Sequence, residues 1–487
     1  MNLCNIDHGF NYETEKLCRI FLPYEKINIC DTVIPSELYA VCSLVGGHTA
    51  VSKLCIGDKV YQNSEKVSSC DKKDIELSLA TTLYKCFVQA TGYIPEWGIL
   101  TGVRPVKLYS RLWGELGKEG ADEYFKNKLF VSDEKIRLCF ETMEPEHSII
   151  KKNSKNSFSL YISVPFCPSR CSYCSFVSHS VDKAGKLIGD YVELLLKEIE
   201  QTAGIAKKQQ LKLETIYIGG GTPVALSAEQ IDRVMTAVKN NFDLSCLSEY
   251  TVEAGRPDAI NADKLTAIKK GGATRISINP QTMNDAVLET IGRRHTAKQT
   301  KEAFVLAREI GFDNINMDLI AGLHTDTFES FKKTLDEVLA LDPESVTVHS
   351  LSVKKASGIS ASGDIPELET GKIASKMVRY ANTVLTEKAI LPYYMYRQSK
   401  TVGNLENVGY AKKGAEGLYN VYIMDETHTI LACGASAVTK LREPDGPYIE
   451  RIFNFKYPYE YISRFDEMTA RKEGIGIFYE KYPHNTP

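Results

Sequence analysis

Between residues 158 and 350 the chain alternates short, largely apolar runs with helical stretches, and it does so six times. The runs are Ser159–Val164, Thr215–Ile218, Tyr250–Glu253, Arg275–Ile278, Asn314–Leu319 and Ser345–His349. Between them lie Tyr191–Ala203, Ala228–Asn240, Ala262–Lys270, Lys298–Ile310 and Phe328–Leu339, each long enough to be a helix. Two parallel strands can be joined only by a crossover of about a dozen residues, and each of these stretches supplies one. The pattern predicts an α/β protein with a parallel sheet, either curled into a partial barrel or left open and doubly wound.

In parallel βα folds ligands bind at the carboxyl ends of the strands. The first run leads into Cys167, Cys171 and Cys174, and the second into Gly219-Gly220-Gly221. The third ends at Glu253, the fourth is followed by Gln281, the fifth carries Asp318, and the sixth ends at His349-Ser350. Chemistry-bearing residues therefore gather where a site is expected.

The 487 residues exceed one ordinary domain. Residues 1–150 are expected to form an α+β domain. They mix alternating stretches (Leu17–Pro23, Tyr39–Val45, Val51–Ile56) with a helix over Asp74–Thr91, and a loop at Trp97–Pro105 runs into a second helix. The polar stretch Lys151–Ser157 reads as a linker, followed by a barrel over 158–390. From Leu391 to residue 487 a tyrosine-rich module is expected to pack on the barrel mouth. A net charge of −3 argues against a nucleic-acid partner. Met1–Tyr24 lacks a signal-peptide core and no apolar run has membrane-spanning length, so a cytoplasmic protein is expected.

Of the 13 cysteines, ten are dispersed and three fall within eight residues, as Cys167-x3-Cys171-x2-Cys174. Structural zinc sites pair two knuckles, and no second knuckle is present. Ferredoxin-type clusters take four thiolates. Three thiolates leave one iron of a [4Fe–4S] cubane open, and S-adenosylmethionine (SAM) can fill that position through its amino and carboxylate groups. An electron from the cluster would then cleave the sulfonium bond and release a 5′-deoxyadenosyl radical. Gly219–Pro223 lies between strand and helix, where glycines let backbone groups approach a ligand closely. Glu253, Gln281, Arg293 and Asp318 each have an ordinary structural role available, and only their recurrence at strand ends points to a site. His349 is a weaker candidate. The C-terminal tyrosines, with Arg397, Lys400, Lys440 and Arg442, would suit a flat macrocycle bearing carboxylates.

The segment Tyr161-Ile162-Ser163-Val164-Pro165-Phe166-Cys167 through Cys171, Tyr173, Cys174 and Phe176 resembles the cluster segment of the oxygen-independent coproporphyrinogen III oxidase family. So do Gly219–Pro223, Arg275–Gln281 and Asn316–Leu323, while Trp97–Pro105 and Tyr393–Lys440 most resemble its HemZ-type branch. The resemblance implies a radical SAM partial (β/α)6 barrel with an N-terminal α+β domain and a C-terminal cap module. It further implies a [4Fe–4S] cluster on Cys167, Cys171 and Cys174, and SAM as cofactor. Tyr161 and Tyr173 would then flank SAM, and Gly220, Gly221 and Thr222 would hold its polar ends. Glu253, Gln281, Arg293 and Asp318 would bind its carboxylate, its ribose or a second SAM, and Ser352 its adenosine. The implied reaction turns two propionates of coproporphyrinogen III into vinyl groups, giving protoporphyrinogen IX, with an electron donor such as flavodoxin or ferredoxin. The family's oxidases carry a fourth cysteine where Phe176 stands, and its haem chaperones carry a His-Asn-x-x-Tyr-Trp segment where this chain has Tyr419–Met424.

Overall fold

A computed structural model describes residues 1–154, 156–353 and 368–483. It divides into two compact units, one of Met1–Met143 with Tyr396–Glu406, the other of Glu144–Met395 with Asn407–Pro487.

In the first unit, strands β1 (Asn2–Ile6), β2 (Asn28–Cys30), β3 (Leu38–Val45), β4 (Thr49–Ile56) and β5 (Lys59–Lys66) form a sheet in the order β2-β1-β3-β4-β5. Alternation puts Ala40, Cys42, Ala50, Ser52 and Leu54 on one face, all buried. The helices Asn11–Phe21 and Lys72–Thr91 bring Leu17, Cys18, Leu79, Leu83, Cys86 and Phe87 to this unit's core. The alternating stretch expected from Leu17 is thus the end of a helix. Thr14, Leu17, Cys18 and Phe21 are buried at helical spacing, a pattern that five residues alone cannot separate from a strand. Tyr396–Glu406 belongs here because Glu406 is fully buried and takes Lys135 Nζ at 2.6 Å and Trp97 Nε1 at 2.7 Å. A buried lysine needs such a partner.

In the second unit six parallel strands run β6 (Ser157–Val164), β9 (Lys212–Gly220), β10 (Glu249–Val252), β11 (Arg275–Ser277), β12 (Ile315–Ala321) and β13 (Ser345–Ser350). Each agrees with an expected run to within three residues at either end. A two-residue pair, β7 (Phe166–Cys167) with β8 (His179–Ser180), brackets the cysteine loop. The sheet does not close. β13 continues to β15 (Glu406–Ala411) and β14 (Leu391–Arg397), and β6 continues to β16 (Thr429–Cys433), β17 (Val438–Arg442) and β18 (Ile449–Phe453). β16 is a seventh parallel strand, beside β6.

The two faces of the parallel strands differ sharply. Leu160, Ile162, Ile216, Ile218, Val252, Ile276, Met317, Leu319, Val346 and Val348 occupy one face and are buried. The other carries Ser159, Tyr161, Thr215, Tyr217, Glu249, Thr251, Glu253, Arg275, Ser277, Asn316, Asp318, Thr347 and His349, aligned by register. Parallel strands are usually apolar on both faces, so a polar face must satisfy itself. It does so by hydrogen bonds such as Thr215 Oγ1 to Ser159 Oγ (2.7 Å), Arg275 Nη2 to Ser345 Oγ (3.0 Å) and Thr347 Oγ1 to Asn316 Oδ1 (3.1 Å).

The C-terminal tyrosines do cap this face, but at the opposite end from the expected mouth. Helix Leu418–Asp425 points its N-terminus at Glu249, the first residue of β10, which accepts from Leu418 N (2.6 Å) and Tyr419 N (3.3 Å). A carboxylate at a helix N-terminus satisfies orphan donors and the helix dipole together. Tyr419 stacks on Tyr217 with ring centroids 4.6 Å apart, and Tyr422 donates to Glu214, near the start of β9. The mouth side is instead tied to Gly434, just past β16. Its φ is +95°, and a Cβ there would lie 2.5 Å from Ser163 O. Gly434 N donates to the buried Glu198, which also takes Asn454, Tyr461 and Lys472.

Candidate active site

β6 ends at Val164, and Pro165 turns the chain into Phe166–Cys167. The next strand end is wedged beneath this turn. Gly221 N donates to Val164 O and Thr222 N to Phe166 O, both at 2.8 Å. A Cβ on Gly221 would sit 2.4 Å from Phe166 O, and one on Gly220, whose φ is +110°, 3.0 Å from Val164 N. The glycine run is therefore required first by backbone packing under the cysteine loop.

Cys167 and Cys171 are buried, and Cys174 is half-buried. Burial pushes the Cys167 thiol up to about 12 and also raises Cys174. Such thiols become thiolates only when a metal takes the proton's place. Among the described residues no group of three His, Cys, Asp or Glu is closed around a single-ion position. Three cysteines on one loop could together ligate a cubane and leave one iron open.

Two strand-end loops hold the cysteine loop. Ser172 N and Ser169 Oγ donate to Ile291 O and Gly292 O, each at 3.0 Å. Arg293 gives Nε (3.1 Å) and Nη2 (2.9 Å) to Tyr173 OH, between Cys171 and Cys174, and Nη1 to Gly255 O and Asn279 O. Arg293 and Tyr173 are thus brought together, with the guanidinium spent on protein partners. Arg256, which sequence reasoning missed, donates to Ser169 O (2.8 Å), Ser169 Oγ (2.9 Å) and Cys171 Sγ (3.8 Å). A cation three places past Glu253, in a Gly-Arg-Pro turn, was the signal available.

Beside this loop the polar face ends in two carboxylates of opposite character. Burial raises Glu253 to about 7, and its Oε1 accepts from Tyr217 OH. Burial also pushes Asp318 up, but the neighbouring His349 imidazole and the hydrogen bond from Asn316 outweigh it and hold the carboxyl below its ordinary range. His349 Nε2 lies 3.8 Å and Asn316 Nδ2 2.7 Å from Asp318. Gln281 adopts φ +67°, donates its N–H to Asp318 O and accepts at its own O from Ile320 N. Its buried Oε1 has no partner among the described residues, which leaves an acceptor for a ligand. Tyr161 lies with its ring centroid 6.2 Å from those of both Tyr217 and Tyr419, and Ser352 is half-buried two residues past β13.

Of the cations expected to hold a carboxylate-bearing macrocycle, Arg397 does not serve. It is 4% exposed within the first unit, where it donates to Leu100, Gly102 and Asn404 carbonyls and lies over Trp97. Burial lowers its pKa to about 10. The neighbouring tyrosines signalled a core and not a ligand pocket.

The model of the radical SAM superfamily matches residues 161–338. The oxygen-independent coproporphyrinogen-III oxidase-like protein HemZ of Bacillus subtilis (strain 168) is 37% identical over 435 residues, 87% of each chain. The heme chaperone HemW of the same organism is 41% identical over 197 residues, 40% of this chain and 51% of that one. Among solved structures, the coproporphyrinogen III oxidase HemN of Escherichia coli superposes with a TM-score of 0.53 at 22% identity, covering 68% of this chain and 73% of that one, a likeness of fold. The chain belongs to the family of oxygen-independent coproporphyrinogen-III oxidase-like proteins within the radical SAM superfamily, whose members use a [4Fe–4S] cluster and SAM.

Proposed function

We propose that this protein is an oxygen-independent coproporphyrinogen III oxidase, decarboxylating two propionates of coproporphyrinogen III oxidatively to give protoporphyrinogen IX. Cys167, Cys171 and Cys174 are the cluster ligands in this reading. The bound cluster and SAM together supply a reducing electron and a carbon radical able to abstract hydrogen from a propionate. The chain's own residues bind, orient and exclude water. Gly220, Gly221 and Thr222 present backbone to SAM's polar ends, Asp318 accepts from a ribose, and Gln281 Oε1 takes a further donor. Glu253, poised near neutrality, holds or releases a proton at its carboxyl beside Tyr217.

One observation carries the reading: the cysteine loop, its glycine wedge and the Glu253–Asp318 wall converge at the carboxyl ends of neighbouring parallel strands. Electrons would come from a small low-potential donor such as flavodoxin or ferredoxin.

The HemW similarity favours a second reading, a haem chaperone. Against it stands the Tyr419–Met424 stretch, which lies in a helix whose Tyr419 and Tyr422 are buried and engaged. The deciding experiment is anaerobic incubation with reductant, SAM, an electron acceptor and coproporphyrinogen III. The oxidase reading expects protoporphyrinogen IX by way of a singly decarboxylated intermediate. Tight haem binding with the porphyrinogen returned unchanged would establish the chaperone reading instead.

A further inference from the structure

Arg256 has no part in the reaction proposed above, yet the residue is 3% exposed and its guanidinium is directed at the cysteine loop. Nη1 reaches Cys171 Sγ at 3.8 Å and Ser169 O at 2.8 Å, and Nη2 reaches Ser169 Oγ at 2.9 Å. The other side of the fork is held by Asp258, with Nε to Oδ1 at 3.0 Å and Nη2 to Oδ2 at 2.8 Å. His295, 3.9 Å from Asp258, adds no charge, because burial and then Arg293 hold its pKa down to about 3. The loop thus meets two buried cations: Arg293, whose donors go to Tyr173 OH and backbone carbonyls, and Arg256, which donates to the Cys171 sulfur and is partly neutralised by Asp258.

We propose that Arg256 tunes the reduction potential of the cluster through its N–H contact with Cys171, and that Asp258 sets how much of that positive charge the cluster feels. This rests on Cys171 being a cluster ligand. Reduction adds one electron to a group already negative from three thiolates, with no bond broken and no proton taken up. A buried donor cation beside one thiolate stabilises the more negative state more, which raises the potential. Lysine cannot replace this geometry, because a single ammonium does not span Asp258, Ser169 and Cys171 as a planar fork does.

The test is a potentiometric titration of the reduced cluster's electron paramagnetic resonance (EPR) signal, on full-length protein reconstituted without oxygen and without SAM. Dithionite supplies the electron, and iron and sulfide content are matched between variants. Arg256→Met should lower the ratio of reduced to oxidised cluster at fixed potential about tenfold, as for one lost hydrogen bond to an ionised acceptor, equivalent to about 59 mV for a one-electron couple. Asp258→Asn should move it the other way, since the guanidinium then loses its counter-charge. If Arg256→Met cannot hold a cluster, the sign of the Asp258→Asn shift decides. A clamp that only supports the loop would leave both potentials unmoved or shift them in the same direction, and either result overturns the proposal. A wild-type protein without a cluster would instead sink the cysteine assignment, and that is seen before any titration begins.

Discussion

At the scale of single residues, Glu253 and Asp318 show how environment separates two carboxylates on one face. Glu253 is raised to about 7 from an ordinary 4.5, so the folded protein binds a proton that the unfolded chain has already released between those values. Stability then falls as pH rises through that window, because the native state holds more protons. The stability of wild type minus that of Glu253→Gln should decline by about 3 kcal/mol at most from pH 4.5 to 7. Denaturant unfolding of the metal-free protein measures it, and a pH-independent difference would show that Glu253 ionises normally. Asp318 has the opposite shift and, in the proposed function, accepts from SAM's ribose. Asp318→Asn should weaken SAM binding by about 1.5–3 kcal/mol, read by calorimetry, with iron content unchanged. These residues were legible from their positions at strand ends. Arg256 and Tyr217 were not: the Gly-Arg-Pro turn marks Arg256 only as a cation near a strand end, and its contact with a distant loop is not written in the local sequence.

At the scale of elements, two joints carry the site. The glycine wedge leaves no space for a side chain, since a Cβ on Gly221 would overlap the Phe166 carbonyl. Gly221→Ala should lower the thermal midpoint and reduce iron incorporated per chain, while Gly189→Ala, where a Cβ meets nothing within 4 Å, should do neither. The second joint is Glu249 under the helix Leu418–Asp425. Glu249→Ala leaves one buried and one half-buried N–H group without their acceptor and should cost about 2–4 kcal/mol, measured by unfolding. The alternation of apolar runs and helices located six of the seven parallel strands of this sheet, because each crossover between them needs a helix of its own. The seventh, β16, was not legible because Thr429–Cys433 follows the tyrosine-rich stretch and lies far along the chain from β6, its partner in the sheet.

At the scale of the whole molecule, the second unit is a sheet whose polar face is capped below by a tyrosine-bearing helix and open above to the cysteine loop. No described helix is long and apolar enough to cross a membrane. Arg397 marks where reading by neighbourhood failed: residues 396–406 cluster with the N-terminal unit, and no composition rule reports a chain returning to an earlier domain. In the proposed function the three-cysteine loop holds a [4Fe–4S] cluster open to SAM. EPR of the anaerobically reconstituted and reduced protein tests it most directly. A cluster signal altered by adding SAM, and absent in Cys171→Ala, is the predicted result. A signal indifferent to SAM, or one that survives Cys171→Ala, would contradict the claim.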